Sequence, residues 1–384
     1  MKQKLVRITT VPISLEKLLT GQLRFMNSFY DVVAVSSEKE NLEKFGKAES
    51  LSVFPIEMTR KITPIKDFLA IIKLFFYLKK QKPSIVHTHT PKAGLVGMIA
   101  AKMAGVPHRL HTVAGLPLLE AVGTKRKVLD FVEKIIYSSA TVIYPNSYGL
   151  YKIIEENKYC SSGKMKVLAN GSSNGIDTAH FDRALFSDAQ NQELKMQLAI
   201  SKDDFVFIFV GRLVKDKGIN ELVKAFEVLN SENQQVKLLL VGNFESDLDP
   251  LDEITMNAIN TGKGIIKAGY QNDVRPYLSI ADALVFPSYR EGFPNVVMQA
   301  GSMGLPSVVS DINGCNEIVI EGKNGIIIPV KNSDAIYTAM KTIICEKELM
   351  YSMKQNARPM IVSRFEQKVV WEAILNEYRQ LENK

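Results

Sequence analysis

The chain has 384 residues, 46% of them hydrophobic and 23% charged, which excludes a mainly disordered chain and suits two domains of roughly 150–200 residues. Its 23 Gly and 15 Pro exclude a collagen-like or low-complexity protein, and its three scattered cysteines, Cys160, Cys315 and Cys345, give no disulfide framework or zinc motif and fit a reducing cytoplasm. The net charge of +7 gathers in residues 1–190, with an excess of about eleven positive charges, so that half suits an anionic partner: nucleic acid, a phosphorylated substrate or a membrane surface.

The N-terminus is basic but lacks a long apolar run and a small-residue cleavage site, so it reads as a first strand and not a signal peptide. No stretch reaches the ~20 apolar residues of a membrane span. Short apolar runs predict strands over 5–9, 32–36, 50–54, 85–87, 109–112, 141–144 and 166–168. Amphipathic stretches between them predict helices over 15–29, 65–80, 93–104, 127–138 and 148–156. This repeated β-α-β pattern predicts a parallel sheet covered by helices. The pattern restarts with strands over 205–210, 236–241, 264–267, 283–286 and 307–309, and a helix over 218–229. A Gly, Ser and Asn-rich stretch over 170–181 and a polar helix near 187–198 separate the two series. The chain ends in helices over 333–344 and 365–382, the last expected to cross back to the first domain. The expected domains are therefore 1–185 with 365–384, and 186–364.

Ligands of doubly wound sheets bind beyond the carboxyl ends of the strands. The strand 205–210 runs into Gly211-Arg212-Leu213-Val214-Lys215-Asp216-Lys217-Gly218. Gly211 permits close approach to the backbone, and Arg212, Lys217 and a helix start together suit a diphosphate. Spacing alone fits a solvated loop equally well. The strand 283–286 is followed by Tyr289-Arg290-Glu291-Gly292-Phe293-Pro294-Asn295 and a helix over 296–303. The free amides of Asn295 and Val296 suit phosphate oxygens, and Glu291, taken alone, is a helix-capping carboxylate.

Together, Gly211-Arg212-Leu213 with Lys217-Gly218, the segment 287–306 (PSYREGFPNVVMQAGSMGLP), the loop Val86-His87-Thr88-His89-Thr90-Pro91-Lys92 and the segment Asn174-Gly175-Ile176-Asp177 resemble the retaining glycosyltransferases of family 4. The likeness spans essentially the whole chain. It looks nearest to bacterial enzymes of capsule, O-antigen and N-glycan assembly, including N-acetylgalactosaminyltransferases acting on undecaprenyl-diphosphate-linked sugars. The resemblance implies the α/β GT-B fold, two Rossmann-like domains facing across a cleft, the first binding the acceptor and the second the nucleotide sugar. It implies that Arg212 and Lys217 bind the donor diphosphate and stabilise the charge of the departing nucleotide, with no metal cofactor. Glu291 keeps the position of the first Glu of the family's Glu-x7-Glu motif, beside the donor sugar. Gln299 replaces the second, which meets the ribose. It pairs with a diol without charge assistance. Tyr270 is expected near the base, which family habit makes uracil.

Other departures are Ala114, where relatives often carry His or Arg, and a first loop with only Gly21 in place of several glycines. Ser14 and Gly21 are candidates to approach a phosphate there. His111 reads as structural. His89, facing the cleft, and Lys92 are candidate acceptor-phosphate or sugar contacts, with His87 buried. Asp247-Leu248-Asp249 matches a metal-holding D-x-D but reads as a loop and helix start.

The apolar, lysine-bearing stretch 65–80 and the cluster Lys125-Arg126-Lys127 suit a core helix with solvated lysines or peripheral contact with an anionic membrane. No RNA-binding signature supports a nucleic-acid partner. The sequence thus predicts transfer of a hexosyl or N-acetylhexosaminyl group from a UDP-sugar to a polyprenyl-diphosphate-linked saccharide, with retention, at the cytoplasmic face of the inner membrane. The competing readings are a UDP-sugar epimerase of the same fold and a nucleotide-sugar-binding protein without turnover. A dehydrogenase is disfavoured, because no G-x-G-x-x-G follows a strand.

Overall fold

The computed structural model describes residues 2–59, 61, 63–245 and 249–383. Two compact units divide the chain, Met1–Gly175 with Gln367–Lys384, and Ile176–Glu366. The first holds strands β1 (Lys4–Ile8), β2 (Asp31–Ser36), β3 (Ser52–Pro55), β4 (Ile85–His89), β5 (His108–Val113) and β6 (Val142–Pro145), ordered β3-β2-β1-β4-β5-β6. The second holds β7 (Phe205–Val210), β8 (Val236–Val241), β9 (Ile265–Gly269), β10 (Ala283–Phe286), β11 (Ser307–Ser310) and β12 (Gly325–Ile328), ordered β12-β11-β10-β7-β8-β9. The pairings are parallel, for example Leu5 opposite Val32 and Ile85, and Phe207 opposite Leu238 and Ala283. Helices cover both faces, so a strand such as Phe-Val-Phe-Ile-Phe-Val at β7 is apolar without alternation.

Both sheets follow one order. The direction of winding reverses between β1 and β4, and again between β7 and β10. At such a switch point two loops diverge beyond the carboxyl ends of adjacent strands and leave room for a ligand.

In the first unit, helices Pro64–Gln81, Pro91–Ala104 and Gly123–Ser139 bury Leu74, Val96 and Ile136 against one sheet face. Helices Pro12–Leu19, Gln22–Asn27, Lys39–Glu49 and Gln367–Glu382 bury Leu15, Leu23, Leu42 and Tyr378 against the other. In the second unit one core gathers Phe207, Phe209, Phe226, Leu284 and Phe365.

The structure departs from the sequence expectations in several places, the first being helix Lys39–Glu49, which is not among the predicted elements. The helix expected over 15–29 is broken at Thr20 and Gly21. Gly21 takes φ +74°, and a Cβ there would lie 2.8 Å from the Trp371 indole. Residues 166–168 form no strand, because after Met165 bridges to Ile143 and Lys166 N–H bonds the Ile143 carbonyl, the chain turns away. The short strand β12 has no counterpart among the predicted elements. Neither has helix Lys347–Phe365, which carries Pro359 internally, and the last helix starts at Gln367, not 365. The units part at Gly175/Ile176 where the sequence suggests 185/186. Phe181 and Phe186 pack on the second core, and Arg358 binds the carbonyls of Thr178 and Phe181.

Candidate glycosyl-donor site

The switch point of the second unit explains why two distant loops meet. The loop after β7 and the loop after β10 leave neighbouring strands. Gly218 takes φ +70°, and a Cβ there would lie 2.2 Å from the Pro287 carbonyl oxygen. Only glycine fits this contact. Directly beside it, Lys217 Nζ lies 2.6 Å from Glu291 Oε1, with both side chains mostly buried. Ser288 Oγ donates to the same carboxylate oxygen at 3.0 Å. Arg290 Nη2 pairs with Asp216 Oδ2 at 2.9 Å, and Tyr289 N–H donates to the Asp216 carbonyl. The loop after β11 supports the turn from behind, with Asn313 Nδ2 donating to the carbonyls of Glu291 and Gly292.

Arg212 is half-exposed and bonds Glu245 Oε2 at 2.8 Å, an interaction that raises its pKa. Its charge lies within electrostatic reach of Glu291. Strands β7, β8 and β9 end side by side. Gly211 N–H donates to Val241 O, and Gly242 N–H donates to Gly269 O. Tyr270 follows Gly269 and stands out into solvent. Helix Asn295–Ser302 begins after Pro294 without a side-chain cap, so Asn295 and Val296 lead its first turn with amides that have no carbonyl four residues earlier in the helix. Gln299 is half-buried one turn further on.

The structure therefore brings Lys217 and Glu291 into contact, with Gly211 and Arg212 on the loop that carries Lys217. Asn295, Val296 and Gln299 follow on the helix after the Glu291 loop, and Tyr270 lies at the end of β9. Sequence reasoning missed Ser288 and Asn313 as supports of Glu291. Applying the strand-end rule to β11, the neighbour of β10, would have found Asn313. Of the D-x-D segment, Asp247 and Leu248 lie outside the described residues. Asp249 Oδ2 accepts from Asp216 N–H at 2.7 Å, which gives it a structural task in the Lys217 loop.

In the first unit the loops after β1 and β4 meet, Thr10 Oγ1 lying 2.7 Å from Thr90 Oγ1, but His89 and Lys92 there are more buried than expected. His89 is buried rather than facing a cleft, and its Nε2 lies 2.6 Å from Arg7 Nη2. Arg7, fully buried, also donates to Tyr378 Oη and Gln22 Oε1. Arginine only donates, so His89 Nε2 accepts and the ring proton sits on Nδ1. Among the described residues that Nδ1 has no partner. Burial and the Arg7 charge push the pKa of His89 well below 6.5, so the ring is neutral. Lys92, in the first turn of helix Pro91–Ala104, is largely buried and held 2.5 Å from Asp67. Ser14 lies half-buried in helix Pro12–Leu19. Gly21 packs on Trp371, which leaves no room for a side chain there. His87 is buried between Tyr378 Oη and Thr112 Oγ1, and His111 between Thr88 and Gly94, where both serve the core.

The description "Glycosyl transferases group 1" matches residues 190–360, and "Glycosyl transferase 4-like" matches 21–147. A capsular polysaccharide biosynthesis glycosyltransferase, CapM of Staphylococcus aureus, is 33% identical over 378 residues, covering 98% of this chain and 97% of that protein. This chain belongs to the group 1, family-4-like glycosyltransferases. A second relative, the Escherichia coli UDP-Gal:alpha-D-GlcNAc-diphosphoundecaprenol alpha-1,3-galactosyltransferase, is 30% identical over 379 residues, 95% of each chain. Among solved structures, Anabaena HepE in complex with UDP superimposes with a TM-score of 0.82 at 18% identity, over 99% of this chain and all of that one. The fold is GT-B. Family membership makes this chain an enzyme that transfers hexosyl groups, which sets aside the epimerase and the binding protein without turnover. Among the described residues, no helix is long and apolar enough to cross a membrane.

Proposed function

We propose that this glycosyltransferase moves a hexosyl or N-acetylhexosaminyl group from a UDP-sugar to a polyprenyl-diphosphate-linked saccharide, with retention at the anomeric carbon. The observation that carries the reading is the Lys217–Glu291 contact between two switch-point loops, beside the uncapped start of helix Asn295–Ser302. A diphosphate seated there meets Lys217, Arg212, the Gly211 backbone and the amides of Asn295 and Val296. Negative charge grows on the departing diphosphate, so these fixed donors stabilise the transition state more than the ground state. In this mechanism they supply the charge stabilisation and no metal cofactor is required. Glu291, oriented by Lys217 and Ser288, flanks the donor sugar. Gln299 takes the ribose and Tyr270 the base.

The acceptor class draws support from the diphosphoundecaprenol named in the Escherichia coli relative, and uracil from the UDP named with that relative and with HepE. Lys92 and Ser14 remain acceptor-side candidates. For Lys92 this requires exchanging Asp67 for phosphate. His89 acts from beneath the loop, because its ring is buried. A lipid-linked acceptor places the enzyme at the cytoplasmic face of the inner membrane as a peripheral protein. Incubation with UDP-sugars and an undecaprenyl-diphosphate-linked saccharide in EDTA tests the proposal. A larger lipid-linked product with the α-anomeric configuration of the donor supports it. Product formed only with added divalent metal contradicts metal independence, and an inverted product contradicts retention.

A further inference from the structure

Arg7 lies on β1 with no exposed surface, and its guanidinium meets three neutral acceptors: Tyr378 Oη at 2.6 Å, Gln22 Oε1 at 2.8 Å and His89 Nε2 at 2.6 Å. Among the described residues it pairs with no carboxylate. Glu377 and Glu382, on the helix that carries Tyr378, are engaged elsewhere. Lys166 and Tyr144 hold the first, and Tyr30 and Ser84 hold the second. Arginine keeps its proton even when buried. A buried charge costs free energy unless an opposite charge compensates it, and nothing in the first core does so. Arg7 Nε and His89 Nδ1, both buried, also have no partner among the described residues.

This charge lies beneath the switch point of the first sheet, where β1 and β4 are neighbours and the loops that leave them meet at Thr10 and Thr90. Each loop opens a helix, Pro12–Leu19 or Pro91–Ala104, with proline in the first turn and no side-chain cap. Thr90 is placed to cap the second helix, but its hydroxyl is turned to Thr10 instead. Its φ of +76° is a strained value for a β-branched residue. The first-turn amides of Ile13, Lys92 and Ala93 therefore have no carbonyl four residues earlier in their helices. Lys92 is matched by Asp67 as an ion pair, so the two add little net charge. The positive potential at this end of the sheet comes from Arg7 below and the two helix starts above.

We propose that Arg7 is a specificity-determining residue of the first unit: its buried, uncompensated charge makes the loops after β1 and β4 a site for a diphosphate in preference to a less charged group. Arg7 precedes Thr10 by three positions of extended chain, a rise of about 10 Å. At that distance, and at the effective dielectric of a protein near its surface, a unit charge changes the binding of one further negative charge by about tenfold. His89 links the charge to the loop. It accepts from Arg7 through Nε2, carries its proton on Nδ1, and immediately precedes Thr90. An anion held by the loops supplies the opposite charge that the core withholds from Arg7. The ligand that brings the diphosphate is the lipid-linked acceptor, and for that identity alone the proposal rests on the function proposed above.

Inorganic pyrophosphate, titrated calorimetrically into the full chain with UDP filling the donor site, tests the proposal, with orthophosphate as the less charged probe. The wild type is expected to bind pyrophosphate about tenfold more tightly than orthophosphate, and less tightly as salt rises. Arg7→Met should weaken pyrophosphate binding about tenfold and remove most of the preference. Tyr378→Phe takes one hydrogen bond from Arg7 but not its charge, so the preference should survive. Gln22→Glu sets a carboxylate beside Arg7 Nη2 and should reproduce the loss, which keeps the proposal open to test should Arg7→Met fail to fold. UDP binding should be the same in every variant. Pyrophosphate binding that depends on Arg7, in an enzyme that extends no diphosphate-linked saccharide, would support the site and contradict the acceptor reading. The proposal is overturned if the wild type binds no pyrophosphate beside UDP, or if folded Arg7→Met or Gln22→Glu keeps the wild-type preference. It is equally overturned if Tyr378→Phe loses the preference as fully as Arg7→Met, which would reduce Arg7 to a hydrogen-bonding support of the core.

Discussion

Lys217 Nζ and Glu291 Oε1 stand 2.6 Å apart although 74 residues separate them in the chain. The contact exists because β7 and β10 are neighbours at the point where the second sheet reverses its winding. Gly218, pressed on the Pro287 carbonyl, locks the two loops together. In the proposed mechanism the same pair holds a cation for the donor diphosphate and aims a carboxylate at the donor sugar.

Removing the cation should cost catalysis far more than folding. Lys217→Ala is expected to lower kcat by about a hundredfold or more, as loss of one preorganised charge-stabilising donor does. Glu291 keeps its Ser288 hydrogen bond, so the stability cost should be about 1–3 kcal/mol. Steady-state kinetics beside thermal melts separate the two. A loss of activity no larger than the loss of folded protein would contradict the role.

Gln299→Glu should tighten nucleotide binding. A carboxylate accepts from ribose hydroxyls through charge-assisted bonds roughly twice as strong as neutral ones, so a gain of about tenfold in UDP affinity is expected. Calorimetric titration of both forms with UDP reads it directly. Unchanged affinity would place the ribose elsewhere.

Acid should unfold the first unit through its buried histidines. Burial pushes the pKa of His111 down to about 3, and His87 and His89 are shifted in the same direction. Each is held neutral in the fold, whereas the unfolded chain takes up a proton near pH 6.5. The stability they contribute is complete above about pH 6.5 and is lost as pH falls, for His111 at about 1.4 kcal/mol per pH unit down to about pH 3, with His87 and His89 acting in the same direction. Urea unfolding between pH 6 and 4 should show this slope, and His111→Asn should reduce it by one ring's share.

Glu133 should act in the opposite direction. Its carboxyl is buried in helix Gly123–Ser139, and desolvation raises its pKa to about 7. The folded state binds this proton more tightly than the unfolded chain does. Its stabilising effect is therefore full below about pH 4.5 and lost as pH rises to about 7, a change of about 3 kcal/mol. Glu133→Gln should remove this component and make the protein more stable at neutral pH, as unfolding midpoints at pH 5 and pH 7.5 would show.

Much of the fold is legible because parallel strands covered on both faces are continuous apolar runs. The strands at 205–210, 236–241 and 283–286 can be read directly, and with them the placing of Arg212, Lys217 and Glu291 in loops beyond strand ends, whereas a role for those residues comes only from the family resemblance. That Lys217 touches Glu291 is not legible, since no local pattern states which strands are neighbours. The burial of His89 is hidden for the same reason, because its partner Arg7 lies on β1 and the pairing depends on register. Strand β12 is only four residues long and starts with Gly325. Helix Lys347–Phe365 carries Pro359 and little amphipathic contrast. Both give weak periodic signals. Nor does local sequence show that Gly21 is packed by Trp371, 350 positions later in the sequence, whose indole leaves no room for a Cβ.

Calorimetric binding of UDP in the presence of EDTA, with GDP and ADP as competitors, to the wild type and to Arg212→Ala bears on the donor site before anything else. Arg212 pairs with Glu245 at the surface, so its loss should change stability by less than about 1 kcal/mol. A metal-independent diphosphate site predicts selective UDP binding in the wild type, abolished or weakened at least tenfold in a folded Arg212→Ala. UDP binding that requires restored metal, or that Arg212→Ala leaves untouched, would contradict it.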